Sequence, residues 1–227
     1  MSLDLTRIRA LCFDIDGTLS DSDDYYVDRL SRWIRYAPFV SDPVRGARRL
    51  LMWMESPANA LLGLADSSGL DNAAISVIDW VQRHRRRHVR HLPVMPGVTD
   101  LLQKLHARYP LAVVSARDEN SAMSFLEQSH LVRHFDAIIT ALSAKHTKPY
   151  PDPIKLAAQR MGVAPDACVM VGDTGVDIRA GKAAAAQTVG VLCGYGEARE
   201  LQRLGADVIL PTTADLDGAL FGSSPQT

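Results

Sequence analysis

The chain has few cysteines, almost no net charge and no long apolar run. Its three cysteines, Cys12, Cys168 and Cys193, lie far apart among 227 residues, and their odd number leaves no complete set of pairs. Because Cys12 and Cys168 stand in apolar, strand-like segments, we expect buried thiols and no disulfides. Such cysteine usage predicts a reducing, cytoplasmic compartment.

Charge and hydropathy disfavour several further classes of function. Lysine and arginine number 25 against 26 aspartates and glutamates, for a formal net charge of -1, so no global field would draw the chain to nucleic acid or to an anionic membrane. No apolar stretch approaches the roughly 20 residues that a membrane-spanning helix needs. The N-terminal Met1-Ser2-Leu3-Asp4 lacks the pattern of a secretory signal. We expect neither nucleic-acid nor membrane partners, and the sequence leaves monomer and homodimer open.

Short apolar runs alternate with helical patterns along most of the chain. The runs are continuous rather than alternating, as in parallel strands that are covered on both faces. Helical spacing appears at Val98, Leu101, Leu102 and Leu105, and a helix start appears at Asp152-Pro153. The fold class predicted is α/β, a doubly wound, Rossmann-like parallel sheet. The predicted strands are Leu11–Phe13, Leu111–Val114, Ala137–Ile139, Cys168–Val171, Thr188–Leu192 and Asp207–Leu210.

One long segment interrupts this alternation. From about Asp21 to His91 the apolar residues have helical spacing and no convincing strand appears. We therefore predict an α/β core formed by residues 1–20 and 93–227, with a helical cap inserted at 21–92. An insertion that directly follows a strand end is well placed to act as a lid that excludes water.

Two carboxylates, Asp14 and Asp16, directly follow the first predicted strand. Side chains alternate along an extended chain, so both should leave the strand end on the same side. Two adjacent carboxylates repel each other, and a divalent cation would remove that penalty. Gly17 then permits a tight turn, and Thr18 offers a hydroxyl and a backbone N–H. The pattern suggests a metal-assisted phosphoryl site. A strand-end turn in which the acids cap a helix would have a similar sequence.

Three more polar clusters follow predicted strands, and ligands in open α/β sheets bind at the carboxyl ends of strands. Ser115 and the N–H of Ala116 could hold a phosphate oxygen, or form an ordinary turn. Lys148 lies in a proline-rich segment that should be extended and stiff; it could neutralise a phosphoryl group or be a plain exposed lysine, and Lys145 competes for the role.

The last cluster is Gly172-Asp173-Thr174-Gly175-Val176-Asp177, with two more acids around a glycine turn. Asp173 and Asp177 could cap a helix and complement its dipole. If they instead meet Asp14 and Asp16, four carboxylates crowd one crevice, and only a cation makes that tolerable. A ligand set of oxygens without histidine or cysteine favours Mg²⁺.

These motifs, in this order, resemble those of the haloacid dehalogenase-like (HAD) hydrolase superfamily. Asp14 to Leu19 resembles the first motif, Ser115 the second, Lys148 the third and Gly172 to Asp177 the fourth, while the helical insertion resembles a C1-type cap. Asp21-Ser22, Pro96-Gly97-Val98 and Gly194-Tyr195-Gly196 are similar to phosphoglycolate phosphatase-like members. The presence of Asp16 argues against dehalogenases and phosphonate-cleaving relatives.

The resemblance implies a role for each site residue. Asp14 would be the nucleophile that forms an aspartyl-phosphate, and Asp16 the general acid and base. Asp14, the Asp16 carbonyl and Asp173 would bind Mg²⁺ directly, and Asp177 would help through water. Ser115 and Lys148 would hold the phosphoryl group, together with Gly17, Thr18 and Ala116. We therefore expect a Mg²⁺-dependent phosphatase acting on a small phosphorylated metabolite.

Two alternatives for the function stay open. A phosphomutase of the β-phosphoglucomutase type would share Asp14 and Asp16, and a non-catalytic binding module would use the cap's basic surface. That surface includes Arg83 to His91, a run of arginines and histidines that forms either a solvated cap helix or a site for a second anionic group of the substrate. Relatives often have Asn at the position of Ala116. Arg117, which follows, could bind a substrate anion or cap a helix.

Overall fold

The first apolar run of the sequence forms a central, buried strand of the sheet. In the computed structural model, which describes residues 2–21 and 92–222, β1 (Ala10–Phe13) is buried on both faces between two neighbouring strands. Phe13 pairs with Val113 on one side and with Val171 on the other, and both neighbours run parallel to it. A strand covered by packing on both faces has to be apolar throughout, as this one is.

Six parallel strands form one sheet in the order β3-β2-β1-β4-β5-β6. The chain runs outward from β1 to β3, returns to β4 beside β1, and then runs outward to β6. The order of connection therefore reverses between β1 and β4, which is where open α/β sheets bind their ligands. The remaining strands are β2 (Leu111–Val114), β3 (Ala137–Ile139), β4 (Cys168–Gly172), β5 (Gln187–Val191) and β6 (Val208–Leu210).

Helices cover both faces of the sheet. On one face the buried side chains include Leu11 and Phe13; on the other they include Ala10 and Cys12, as the alternation along a strand requires. The helices of the described residues are α1 (Val98–His106), α2 (Glu119–Gln128), α3 (Asp152–Arg160), α4 (Gly175–Ala183), α5 (Ala198–Arg203) and α6 (Leu216–Phe221). Helices α1, α2 and α6 pack on the first face, and α3 and α4 on the second. The doubly wound α/β prediction is confirmed.

Local details differ from the sequence expectation at two places. Helix α3 begins at Asp152, so this residue is inside the helix rather than its N-cap, and Pro153 takes the second position. The segment around Lys148 is not extended: the N–H of Tyr150 donates to the carbonyl of Thr147 over 3.0 Å and closes a turn. Proline favours turns as well as extended chain, and the sequence pattern does not distinguish the two.

The three cysteines are all free thiols, with Cys12 and Cys168 buried as predicted. Within residues 2–21 and 92–222, no helix has the length and apolar character needed to cross a bilayer. The described residues belong to one compact unit of the chain. The predicted helical cap and the arginine run from Arg83 to His91 lie outside the described residues, so the cap remains a prediction.

Candidate active site

The loops that follow β1, β2, β3 and β4 bring the predicted site residues together at one edge of the sheet. Asp14 directly follows β1 and Asp173 directly follows β4, the two neighbouring strands at which the connection order reverses. Ser115 directly follows β2, and Lys148 arrives from the long connection between β3 and α3. The convergence expected at the carboxyl ends of parallel strands is present in the structure.

Lys148 joins two of the carboxylates. Its Nζ lies 2.8 Å from Oδ1 of Asp14 and 2.6 Å from Oδ1 of Asp177. The lysine is only 3% exposed and Asp177 is fully buried. Lys145, the competing candidate, is exposed. A buried ammonium needs paired carboxylates to offset its desolvation, and this one has two.

Asp177 also helps to cap the first turn of helix α4. Its Oδ2 accepts hydrogen bonds from the backbone N–H of Thr174 over 3.1 Å and from the hydroxyl of the same residue over 2.7 Å. Thr174 is the N-cap of α4, so the two residues form a capping box. The helix-capping alternative for Asp177 is therefore also realised: one oxygen caps the helix while the other holds Lys148.

Asp14, Asp173 and Asp177 form a cluster of buried acids. Each offers a carboxylate oxygen, and these oxygens lie within 4.8 Å of one another. Oxygen donors at that spacing, without histidine or thiolate, suit a hard divalent cation. The donors therefore fit the Mg²⁺ that the motifs imply.

A glycine loop surrounds Asp173. The backbone N–H of Tyr195 donates to Oδ2 of Asp173 over 2.8 Å. On either side of Tyr195, a Cβ at Gly194 would overlap the same oxygen, and a Cβ at Gly196 would overlap the carbonyl oxygen of Asp173. Only glycine permits so close an approach. The sequence indicated these glycines only as a likeness to relatives; their role in placing Asp173 was missed.

Asp16 has a different partner. Its Oδ1 accepts from Nη2 of Arg117 over 2.5 Å, and its Oδ2 accepts from Nε over 2.7 Å. The two suggestions for Arg117 were a substrate anion and a helix cap, and the structure shows a bidentate ion pair instead. The N-cap of α2 is the next residue, Asp118, whose Oδ1 accepts from the N–H of Ser121 over 3.2 Å.

The predicted phosphate-binding residues lie in the loops after β1 and β2 as well as at Lys148. Ser115 is buried at the end of β2, and exposed Ala116 follows it at the same edge of the sheet. The backbone N–H groups of Gly17 and Thr18 donate to the carbonyls of Ser20, over 3.1 Å, and Ile15, over 3.3 Å, and phosphate binding by these two residues stays a prediction. Gly17 has a φ of 67°, which is the turn geometry that glycine was expected to supply.

Thr18 is fully buried, and its hydroxyl has no hydrogen-bond partner among the described residues. Its side chain is therefore part of the packing beneath the turn, and its N–H closes that turn.

The surroundings of Asp14 and Lys148 affect the pKa values of the two groups differently. The pKa of Asp14 is raised from 3.8 to about 7: burial is the largest cause, the charge of Lys148 opposes it, and the charges of Asp177 and Asp16 add to it. Burial disfavours the ammonium of Lys148, but the charges of Asp14 and Asp177 outweigh burial and raise the pKa of the lysine. The lysine thus stays cationic while Asp14 exchanges a proton near neutral pH.

The charges of the described site residues do not cancel when all are ionised. Four carboxylates (Asp14, Asp16, Asp173 and Asp177) stand against two cations (Lys148 and Arg117), an excess of two negative charges. A divalent cation among the three clustered acids would balance the group.

Known proteins share both the sequence and the fold. The family model for haloacid dehalogenase-like hydrolases matches residues 11–191. The chain belongs to this family. Phosphoglycolate phosphatase from Escherichia coli K12 is 31% identical over 239 residues, which cover 94% of this chain and 92% of the relative. The family match and this relative support a phosphatase, as the motifs predicted.

Solved structures of the family share the fold. A haloacid dehalogenase-like hydrolase from Streptococcus pneumoniae superposes with a TM-score of 0.70 at 24% identity, covering 93% of this chain and 97% of that one. A putative β-phosphoglucomutase from Thermotoga maritima superposes with a TM-score of 0.66 at 22% identity, covering 94% and 97%. At these identities the likeness concerns the fold alone.

Proposed function

We propose that this HAD hydrolase is a Mg²⁺-dependent phosphatase that hydrolyses phosphomonoesters of small metabolites, through an aspartyl-phosphate on Asp14. The observation that carries the proposal is the buried contact of Lys148 with Asp14 and Asp177, next to Asp173. The identity to phosphoglycolate phosphatase from E. coli makes phosphoglycolate the first substrate to test.

The first step transfers the phosphoryl group to the protein. An oxygen of Asp14 attacks phosphorus, a new P–O bond forms to the carboxylate, and the bond to the ester oxygen breaks. The departing oxygen takes a proton from Asp16. Lys148 offsets negative charge on the phosphoryl group and orients Asp14, with Ser115 as a further donor.

The second step releases phosphate. Asp16, now deprotonated, takes a proton from water as that water attacks phosphorus, and the bond to Asp14 breaks. Asp14, Asp173 and the carbonyl of Asp16 would hold Mg²⁺, with Asp177 contributing through water because its own oxygens contact Lys148 and Thr174. Bound Mg²⁺ would neutralise charge on the phosphoryl oxygens.

Phosphate release from a substrate panel tests the proposal. We expect the wild-type chain to release phosphate from phosphoglycolate or another small phosphomonoester in the presence of Mg²⁺. Asp14→Asn should abolish release, and Lys148→Met should reduce kcat by on the order of a hundredfold or more, because the fixed positive charge is lost. Activity that persists in Asp14→Asn, or that is independent of divalent cation, would contradict the mechanism.

Two matched variants control for charge alone. Lys145→Met removes an exposed lysine from the same loop, and Asp166→Asn removes an exposed acid remote from the cluster. Both should retain wild-type activity. A separate assay tests the phosphomutase alternative. A phosphomutase would convert a sugar 1-phosphate to the 6-phosphate, would depend on a bisphosphate primer, and would release little net phosphate.

A further inference from the structure

We propose that Arg117 is a positioning residue that fixes the carboxylate of Asp16 for proton transfer in both steps; this rests on the proposed phosphatase function. Nε and Nη2 of Arg117 contact the two oxygens of Asp16 separately, over 2.7 and 2.5 Å. Two parallel hydrogen bonds set the plane of a carboxylate as well as its position. The arginine side chain is only 13% exposed, whereas that of Asp16 is 31% exposed, so the guanidinium is largely enclosed while the carboxylate stays accessible.

Arg117 is itself held in place at several points. Its backbone N–H donates to Oγ of Ser115 over 3.2 Å, and its carbonyl accepts from the N–H of Ala141 over 2.9 Å. Its guanidinium carbon lies 5.6 Å from the ring centre of Phe125, on α2. The residue therefore connects the loops after β2 and β3 to Asp16 in the loop after β1. Because Arg117 is itself fixed, the carboxylate that it binds keeps the same orientation in both steps of the reaction.

The chemistry of the guanidinium suits this role. Arginine is a donor only and does not lose its proton in proteins, so it cannot take part in the transfer itself. Asp16 remains the proton-exchanging member of the pair. Lysine at the same position would keep the positive charge but offer a single point of contact, and could not hold the plane of the carboxylate. Charge and orientation can therefore be separated by substitution.

The leaving group of the substrate provides the decisive test of Arg117→Ala. An alkyl phosphate needs a proton from Asp16 as its oxygen departs, whereas p-nitrophenolate leaves without one. We expect kcat/KM for the alkyl phosphate to fall about tenfold or more, a part of what general acid–base catalysis supplies, and kcat/KM for p-nitrophenyl phosphate to change less than about threefold.

The second step gives a separate readout with p-nitrophenyl phosphate. Since Asp16 must also take a proton from the attacking water, kcat and KM for this substrate should fall together, and the aspartyl-phosphate should accumulate in acid-quenched samples. Arg117→Lys should recover only part of the rate on the alkyl phosphate. In an Asp16→Asn background, Arg117→Ala should add little further loss, because both substitutions disable the same group.

The results distinguish a failure of the proposal for Arg117 from a failure of the proposed phosphatase function. Equal losses of kcat/KM with both substrates, a faster reaction in Arg117→Ala, or additive losses with Asp16→Asn would each overturn the proposal for Arg117. Arg160→Ala, which removes an exposed arginine that contacts the carbonyl of Ile138, is the matched control and should leave both substrates unaffected. A wild-type chain without phosphatase activity would overturn the proposed function as well.

Discussion

At the scale of single residues, one buried ammonium holds two carboxylates of the site. The contacts of Lys148 with Asp14 and Asp177 are buried, and removing the lysine would leave two buried acids in mutual repulsion. The sequence predicted this lysine for the site and named Lys145 as a competitor. Burial makes that distinction, and burial depends on how the loop after β3 folds.

The raised pKa of Asp14 predicts that Mg²⁺ and a proton compete for the same carboxylate. With the pKa near 7, Asp14 is mostly protonated at pH 6 in the metal-free protein, and binding of Mg²⁺ has to displace that proton. The association constant should therefore rise by about tenfold per pH unit between about pH 5 and pH 7, and level off above that range.

Calorimetry of Mg²⁺ binding in buffers of different ionisation enthalpy measures this linkage directly. About one proton should be released per Mg²⁺ bound at pH 6, and almost none at pH 8.5. In Asp14→Asn the residual affinity should lose most of this pH dependence. An affinity that is equally strong at pH 5.5 and pH 7.5 in the wild type would contradict a raised pKa at Asp14.

The same shift has a defined sign for the stability of the metal-free protein. A carboxylate whose pKa is raised on folding binds its proton more tightly in the folded chain than in the unfolded chain. Its contribution to the free energy of unfolding is therefore present below about pH 4, and is lost as the pH rises through about 7. Mg²⁺ acts in the opposite sense, because it favours the ionised carboxylate.

At the scale of elements, the loop after β5 determines where Asp173 points. The loop approaches Asp173 so closely that Gly194 has no room for a methyl group beside Oδ2. Gly194→Ala should displace either the loop or the carboxylate. Changes next to a metal ligand typically cost about 10- to 100-fold in metal affinity, and we expect a loss in that range for Mg²⁺.

Gly162→Ala is the matched control for that substitution. Gly162 has a φ of 70°, so alanine there is also strained, but its Cβ would meet nothing within 4 Å. We expect about 1 kcal/mol of lost stability and an unchanged affinity for Mg²⁺. Equal affinities for Mg²⁺ in Gly194→Ala and the wild type would show that the loop does not position Asp173.

At the scale of the whole molecule, the site joins loops from strands that are separated in sequence, so Mg²⁺ should stabilise the fold. At a free concentration a hundred times the dissociation constant, a ligand that binds only the folded chain adds about 2.7 kcal/mol to the free energy of unfolding. Denaturant titrations at increasing Mg²⁺ should show this gain in the wild type and little of it in Asp173→Asn.

Lys104→Ala provides the control at this scale. Its 2.8 Å contact with Asp217 is an exposed ion pair remote from the site, worth about 1 kcal/mol or less. The variant should keep the full stabilisation by Mg²⁺. If Asp173→Asn gained as much stability from Mg²⁺ as the wild type, the cation would not be binding at the three clustered acids.

Much of the fold could be predicted because buried parallel strands leave a direct sequence signal. The apolar runs such as Leu111–Val114 are continuous, and the strands appear where those runs occur. The acids were also visible, since Asp14 and Asp173 directly follow such runs. The pairing of Asp16 with Arg117 left no such signal: the two residues are 101 positions apart, and only the parallel register of β1 and β2 brings them together.

The order of the strands also has a consequence for synthesis of the chain. β1 pairs with β2 and β4, so the strand that carries Asp14 is made first and waits for a neighbour that ends at Gly172. Asp173 and Asp177 follow only then. A growing chain on the ribosome therefore contains Asp14 long before it can arrange the buried acids around it. A product released before residue 168 would lack β4 and expose one edge of β1, and a product released before residue 177 would lack Asp177.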